Sequence, residues 1–222
     1  MLVLQKYFVL REEKPLFQPL DCHFKAGDLW LLQGDNGQGK TTLLRSVQGI
    51  YQEFSGTYTW NDSIKPIFIG HANGVHPALT VLENAQIICA TLGLSTSQAA
   101  LLQCMDILSI GLYDQTPANR LSAGQYRKVG LIPLVHPEAR GRPWLIDEPF
   151  NALDINTCHF IEQLCLAHLK RQQLILMTSH QTVLSPELMA LAQYIRLVSP
   201  ISPTDTSCDS NNKLTVNEHN LI

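Results

Sequence analysis

The chain has 222 residues, 45% of them hydrophobic, enough for one substantial core, with a single domain favoured and room for a subdomain inserted into the same sheet. A formal net charge of −3 supplies no general drive toward nucleic acid, and no stretch reaches the roughly 18 continuous apolar residues expected of a membrane span. Cys22, Cys89, Cys104, Cys158, Cys165 and Cys208 contain no C-x-x-C pair, which leaves neither a zinc site nor a redox pair indicated and free thiols expected.

The apolar amino end, Met1 to Leu10, meets Arg11, Glu12, Glu13 and Lys14 before a signal-peptide pattern develops. Leu2 to Leu10 and Leu16 to Phe24 read as short strands around that charged turn, a small antiparallel edge ahead of the main sheet. Lys25-Ala26-Gly27-Asp28 then turns the chain into the apolar strand Leu29-Trp30-Leu31-Leu32. Directly after it comes Gly34-Asp35-Asn36-Gly37-Gln38-Gly39-Lys40-Thr41, and Thr42 to Gly49 is helix-like. A strand, this glycine-rich turn and a helix make a P-loop in its required context. The glycines let backbone N–H groups turn inward around phosphate oxygens, Lys40 reaches the β- and γ-phosphates, and Thr41 offers a hydroxyl to magnesium.

Gly56 to Trp60 and Ile64 to Ile69 read as strands, whereas Val81 to Leu92 and Ser97 to Ile110 have helical apolar spacing and begin a helical subdomain. Trp144-Leu145-Ile146 before Asp147-Glu148, and Leu174 to Met177 before Thr178-Ser179-His180, read as buried parallel strands. An open α/β sheet places its chemistry at the carboxyl ends of such strands. From Ser199 onward the sequence is polar and turn-rich, a mobile tail with a short strand at Lys213 to Val216 as the other reading.

Two further motifs carry chemistry. Asp147 and Glu148 end an apolar strand; alone they are as well explained by solvent-facing carboxylates, but beside a P-loop Asp147 suits the magnesium shell and Glu148 suits polarising the hydrolytic water. In Leu121-Ser122-Ala123-Gly124-Gln125, a hydroxyl and backbone N–H groups at a helix start can face an anion, and an ordinary N-cap explains Ser122 equally well.

Read in order, the P-loop, Leu121 to Gln125, Asp147-Glu148, Ala152-Leu153-Asp154 and His180 resemble the nucleotide-binding domains of ATP-binding cassette transporters over about residues 1 to 198, leaving 199–222 as the tail. The resemblance implies a P-loop nucleoside triphosphate hydrolase core of α/β class with an antiparallel β subdomain and a helical subdomain at about 72–135. It implies a magnesium-dependent ATPase, with ATP held by Asn36, Gly37, Gln38, Gly39, Lys40, Thr41 and Thr42. It further implies a head-to-tail pair in which Ser122 and Gly124 of one subunit face the nucleotide of the other, Asp154 lies at the seam and His180 is a switch residue near the γ-phosphate.

Two positions depart from the family pattern. His71 stands where the family has a glutamine, either near metal and water or as a plain loop residue, and Arg11 stands near the place of the adenine-stacking aromatic, with Tyr7 and Phe8 upstream. With Gly70-His71, Leu121 to Gln125, Asp147 to Asp154, Thr178 to Gln181 and Phe17, the chain resembles the CcmA group of bacterial cytochrome c maturation ATPases. That group implies attachment to the cytoplasmic face of the inner membrane, a CcmB-like membrane subunit, a CcmC-like haem-handling protein and release of a haem-loaded CcmE-like chaperone. An ATPase for another cargo and a nucleotide-dependent assembly scaffold are the alternatives. Pro133 departs from the group and is expected to disrupt the helix after Gln125.

Overall fold

Strand β1 (Leu2–Arg11) hides Leu2, Leu4, Tyr7 and Val9 and leaves Gln5, Lys6 and Arg11 outside. The alternation survives one extra residue because Lys6 takes a left-handed φ of 46°, and the register shifts there against both neighbouring strands, the mark of a bulge. β1 pairs antiparallel with β2 (Lys14–Pro15), β3 (Leu20–Phe24) and β5 (Phe54–Trp60). The expected strand Leu16 to Phe24 is thus shortened to its second half, with residues 16–19 in the connection from β2 to β3. The structure is a computed structural model and describes residues 1–61, 64–70, 74–178 and 184–200.

The second sheet is wholly parallel, in the order β6 (Ile67–Ile69), β7 (Trp144–Asp147), β8 (Ile175–Thr178), β4 (Leu29–Gln33) and β9 (Ala192–Arg196). β7 and β8 are buried at every residue, which is why they read as uninterrupted apolar runs. Their side chains still alternate: Trp144, Ile146, Ile175 and Met177 belong to one core, Leu145 and Leu176 to the other. The first core lies under helices α2 (Val81–Thr91), α3 (Gln98–Ile107), α4 (Ala123–Val135) and α5 (Ile155–Lys170). The second lies between the parallel sheet, helix α1 (Lys40–Val47) and the antiparallel sheet.

Strand β9, preceded by the short helix α6 (Pro186–Leu191), lies at the edge beside β4 and was not expected. Ala192-Gln193-Tyr194-Ile195-Arg196 buries only Ile195, so no apolar run announces it. Pro133 does not break its helix, contrary to expectation: α4 runs through it to Val135. Every residue from Val129 to Val135 is buried, and packing on all sides holds a segment that proline would otherwise weaken. Cys22, Cys89, Cys104, Cys158 and Cys165 are free thiols, while Cys208 and the Lys213 to Val216 stretch lie outside the described residues. Among the described residues no helix is long and apolar enough to cross a membrane.

Candidate nucleotide site

Parallel pairing brings the carboxyl ends of β4, β8 and β7 to one edge in that order. Leu32 pairs with Thr178, and Thr178 pairs with Asp147, so the loop after β4 is one strand removed from Asp147. The P-loop leaves β4 through Gly34 and enters α1 at Gly39, the helix N-cap. Gly39 sits at φ 91°, and a Cβ there would come within 3.0 Å of Leu16 and 3.3 Å of the Phe17 ring. Only glycine fits both the backbone conformation and that contact. It also brings no capping side chain to compete for the first amides of α1.

Lys40 is 7% exposed, and its Nζ donates to the carbonyls of Gly34 (2.6 Å) and Asp35 (3.0 Å). The ammonium is thereby folded over the loop it is expected to serve. Burial pushes its pKa down, and the charges of Glu148, Asp147 and Asp35 push it back up. Thr41 donates through Oγ1 to Asp147 Oδ2 at 2.7 Å, although 106 positions separate them. Thr42 is buried and Asn36 exposed. Gln38 Oε1 accepts from the Asp35 N–H at 2.8 Å and its Nε2 donates to Ser199 Oγ at 3.0 Å, fastening the P-loop to the segment after β9.

Asp147 is 2% exposed, and its other oxygen, Oδ1, accepts from Thr178 Oγ1 at 2.6 Å. Thr178 Oγ1 in turn accepts the Glu148 N–H at 3.0 Å. Glu148 holds a left-handed φ of 50°, which costs a non-glycine residue about 1 kcal/mol. Its Oε2 accepts a short hydrogen bond from Asn151 Nδ2. From the other side Arg127, 4% exposed, donates through Nη2 to the carbonyls of Glu148 (2.7 Å) and Asp147 (3.3 Å), and through Nη1 to that of Gly70 (3.2 Å). Burial pulls the Arg127 pKa down to about 10, against the opposing pull of Asp147 and Glu148.

Ser122 is the N-cap of α4 in a full capping box: its Oγ accepts the Gln125 N–H at 3.2 Å and its own N–H goes to Gln125 Oε1 at 2.9 Å. The hydroxyl hydrogen is not used in that contact. Among the described residues Ser122 and Gly124 meet Gln125, Tyr126 and Ala152, not the P-loop. Asp154 caps α5 through Thr157 (2.9 and 2.7 Å), and those bonds, the backbone one first, hold its carboxyl below the usual range. Lys128 of α4 reaches it at 3.7 Å. Tyr7 is fully buried, bonded to Ser46 and packed on Phe54 and Tyr58, so it presents no face to a base; Arg11 is exposed. His71 and His180 lie outside the described residues.

Sequence reasoning missed Arg127, Thr178 and Asn151 as parts of this cluster. A lone arginine two positions ahead of the buried run Val129 to Val135 was a usable signal, since a buried guanidinium requires partners. Thr178 gave none beyond its place at a strand end.

Magnesium prefers hard oxygen ligands and completes its shell with water and substrate phosphates. The adjacent Thr41 hydroxyl and Asp147 carboxylate, beside a glycine cradle whose Cβ positions are partly filled, fit such an ion next to a triphosphate.

A P-loop, a strand-end carboxylate pair and a capped serine-glycine helix start on this sheet define a class, and the comparisons agree: the sequence profile of the family described as ABC transporter matches residues 17–151, and the chain belongs to that family. It is an ATPase subunit of that family, and the family uses ATP with magnesium. The chain is 35% identical over 194 residues to the cytochrome c biogenesis ATP-binding export protein CcmA of Saccharophagus degradans, covering 80% of this chain and 86% of that protein. Against the CcmA of Haemophilus influenzae it is 32% identical over 200 residues, covering 86% and 93%. It is homologous to these CcmA proteins. In fold it matches the structure of an ATP binding subunit of an ABC transporter (TM-score 0.74, 18% identity, 89% of this chain and 86% of that one). It also matches the dimeric structure of the bacterial ABC transporter cassette MJ0796 (TM-score 0.70, 20% identity, 88% and 94%).

Proposed function

We propose that the chain is the ATP-hydrolysing subunit of a cytochrome c maturation complex on the cytoplasmic face of a bacterial inner membrane, where turnover releases a haem-loaded CcmE-like chaperone. The observation that carries the chemistry is the 2.7 Å contact of Thr41 Oγ1 with Asp147 Oδ2, which joins phosphate loop and strand-end acid at one point. Residues 1–198 form the ATP-binding cassette domain, with its helical subdomain at about 72–135 and a polar tail at 199–222.

In this reading Asn36, Gly37, Gln38 and Gly39 direct the loop around the triphosphate, and Thr42 adds the next amide and hydroxyl. Lys40 leaves the Gly34 and Asp35 carbonyls for the β- and γ-phosphates, exchanging neutral acceptors for charged ones. Thr41 and Asp147, with His71 as a further candidate near metal or water, hold magnesium, which when bound supplies positive charge that draws the phosphate oxygens into one geometry. Glu148 accepts the proton of the attacking water, and His180 stands by the γ-phosphate. Ser122 donates its free hydroxyl hydrogen, and Gly124 offers close backbone approach, to the triphosphate of a second, head-to-tail subunit. Closure of that pair is passed through the helical subdomain to a CcmB-like membrane subunit in company with a CcmC-like protein.

Support for the cytochrome c role comes from identity above 30% along most of the chain to proteins named for that pathway. Affinity isolation of the full chain from native membranes, followed by identification of co-purified proteins and magnesium-dependent ATP hydrolysis of the eluate, tests it. The expected result is a hydrolysing assembly containing a haem-handling membrane protein. Recovery with a permease for an unrelated cargo refutes the pathway, and absence of hydrolysis refutes the enzymatic role.

A further inference from the structure

Glu148 is held in an unfavourable left-handed backbone conformation at the place where its carboxylate must meet water. Its N–H is fastened by Thr178 Oγ1 at 3.0 Å and its carbonyl by Arg127 Nη2 at 2.7 Å, so the peptide is clamped from both sides. Arg127 does not belong to the strand, the P-loop or the Glu148 turn. It stands on α4, one turn beyond Ser122, and the same guanidinium also holds the carbonyls of Asp147 and Gly70. Its neighbour Tyr126 donates through its hydroxyl to the Val75 carbonyl at 2.7 Å. Consecutive residues of one helix therefore grip the backbone ahead of position 71, the backbone after position 73, and the Asp147-Glu148 turn.

We propose that Arg127 is a positioning residue for hydrolysis: it maintains the left-handed turn at Glu148 and ties the aim of that carboxylate to the placement of the helix that Ser122 begins. The guanidinium suits this task because its planar fork offers several fixed donors at once, which the single ammonium of lysine cannot reproduce. A shift of α4 relative to β7 loosens the Glu148 carbonyl, and the turn can relax toward ordinary φ. The carboxylate then loses its aim, since displacements near 1 Å cost a reacting geometry about a hundredfold in rate. Nucleotide binding rests on Lys40 and the P-loop, whereas Arg127 grips the carbonyls of Gly70, Asp147 and Glu148. Binding and hydrolysis are therefore separable at this residue.

The inference rests on the assignment of Glu148 as proton acceptor, and the test keeps the two apart. Compare the parent with Arg127→Gln, Arg127→Lys, Glu148→Gln and Val129→Ala, the last a buried control on the same helix whose apolar side chain has no donor to offer the Glu148 carbonyl. Backbone hydrogen exchange at Glu148 and Asn151 is measured on the isolated full chain without nucleotide; ATP affinity and turnover are measured on the membrane assembly. Arg127→Gln is expected to speed exchange at those amides at least tenfold and lower kcat at least tenfold, with ATP affinity within threefold. Arg127→Lys should recover part of both losses, and Val129→Ala should show neither at a comparable loss of Tm. If Arg127→Gln follows Val129→Ala in exchange, or exchanges fast with parental kcat, the positioning role is overturned. If Glu148→Gln keeps parental turnover, the assignment of Glu148 itself fails, whatever Arg127 does.

Discussion

Lys40 carries a single positive charge whose two acceptors in this structure are carbonyls of its own loop. Those are neutral partners in a nearly buried place, so a phosphate anion at the same point gains a charge-assisted hydrogen bond. Lys40→Ala removes it, and the expected loss is about 1.5–3 kcal/mol, or roughly ten- to a hundredfold in ATP affinity. Titration of the full chain with a fluorescent ATP analogue checks this; unchanged affinity removes Lys40 from the phosphate site. Arg127, Thr178 and Asn151 teach a different lesson at this scale. Arg127 and Thr178 act on the Glu148 backbone across 21 and 30 positions, a role fixed only when the fold sets who stands beside whom, whereas Asn151 reaches the Glu148 carboxylate three positions away through the local turn.

At the scale of elements, α4 begins with a capping box in which the serine oxygen accepts, so the cap does not consume its hydroxyl hydrogen. Ser122→Ala is expected to lower stability by about 1 kcal/mol through the lost cap. Ser122→Asp keeps the cap, and with it the stability, yet places a carboxylate toward the nucleotide of a partner subunit; turnover should fall for both variants while Tm falls only for the first. Retained turnover in Ser122→Asp would leave Ser122 as a cap alone. β7 and α5 are joined by the Trp144 and His168 rings, stacked with centroids 3.7 Å apart, and by His168 Nε2, 3.0 Å from the Arg142 carbonyl. Burial pulls the His168 pKa down to about 4, so the folded chain keeps it neutral while the unfolded chain protonates it near 6.5. Stability on this account is full above about pH 6.5 and is lost as pH falls toward 4, by about 3 kcal/mol at most. Urea unfolding at pH 7 and pH 5 should show a smaller pH-dependent loss in His168→Phe than in the parent. The elements themselves were largely legible: the buried runs of β4, β7 and β8 and the amphipathic α2 and α3 stand in sequence where the structure has them. β9 was not, because an edge strand that buries one residue in five leaves no periodic trace. Pro133 misled for the opposite reason, since tertiary packing overrode a strong local preference.

For the whole molecule, the P-loop and carboxylate face of one copy is incomplete without the Ser122 face of another in the proposed pair. Glu148→Gln should therefore bind ATP with magnesium, hydrolyse it about a hundredfold or more slowly, and accumulate as a closed pair, because binding persists where proton transfer fails. Size-exclusion chromatography with and without ATP checks the second point, and a variant that remains monomeric with ATP speaks against closure across two sites. Sheet order also governs how the chain is made. β4 lies between β8 and β9, both of which leave the ribosome after most of the sequence. The antiparallel unit around β1 is complete by Trp60, but β4 stays open on both edges until β8 is translated, on the order of ten seconds at about 5–20 residues per second. During that interval Leu29-Trp30-Leu31-Leu32 is an apolar strand template without its proper neighbours, prone to pair wrongly. A nascent chain halted before β8 thus carries the entire phosphate-binding motif with nothing to hold it in shape, and its protection falls to chaperones, since its own nucleotide cannot yet stabilise it.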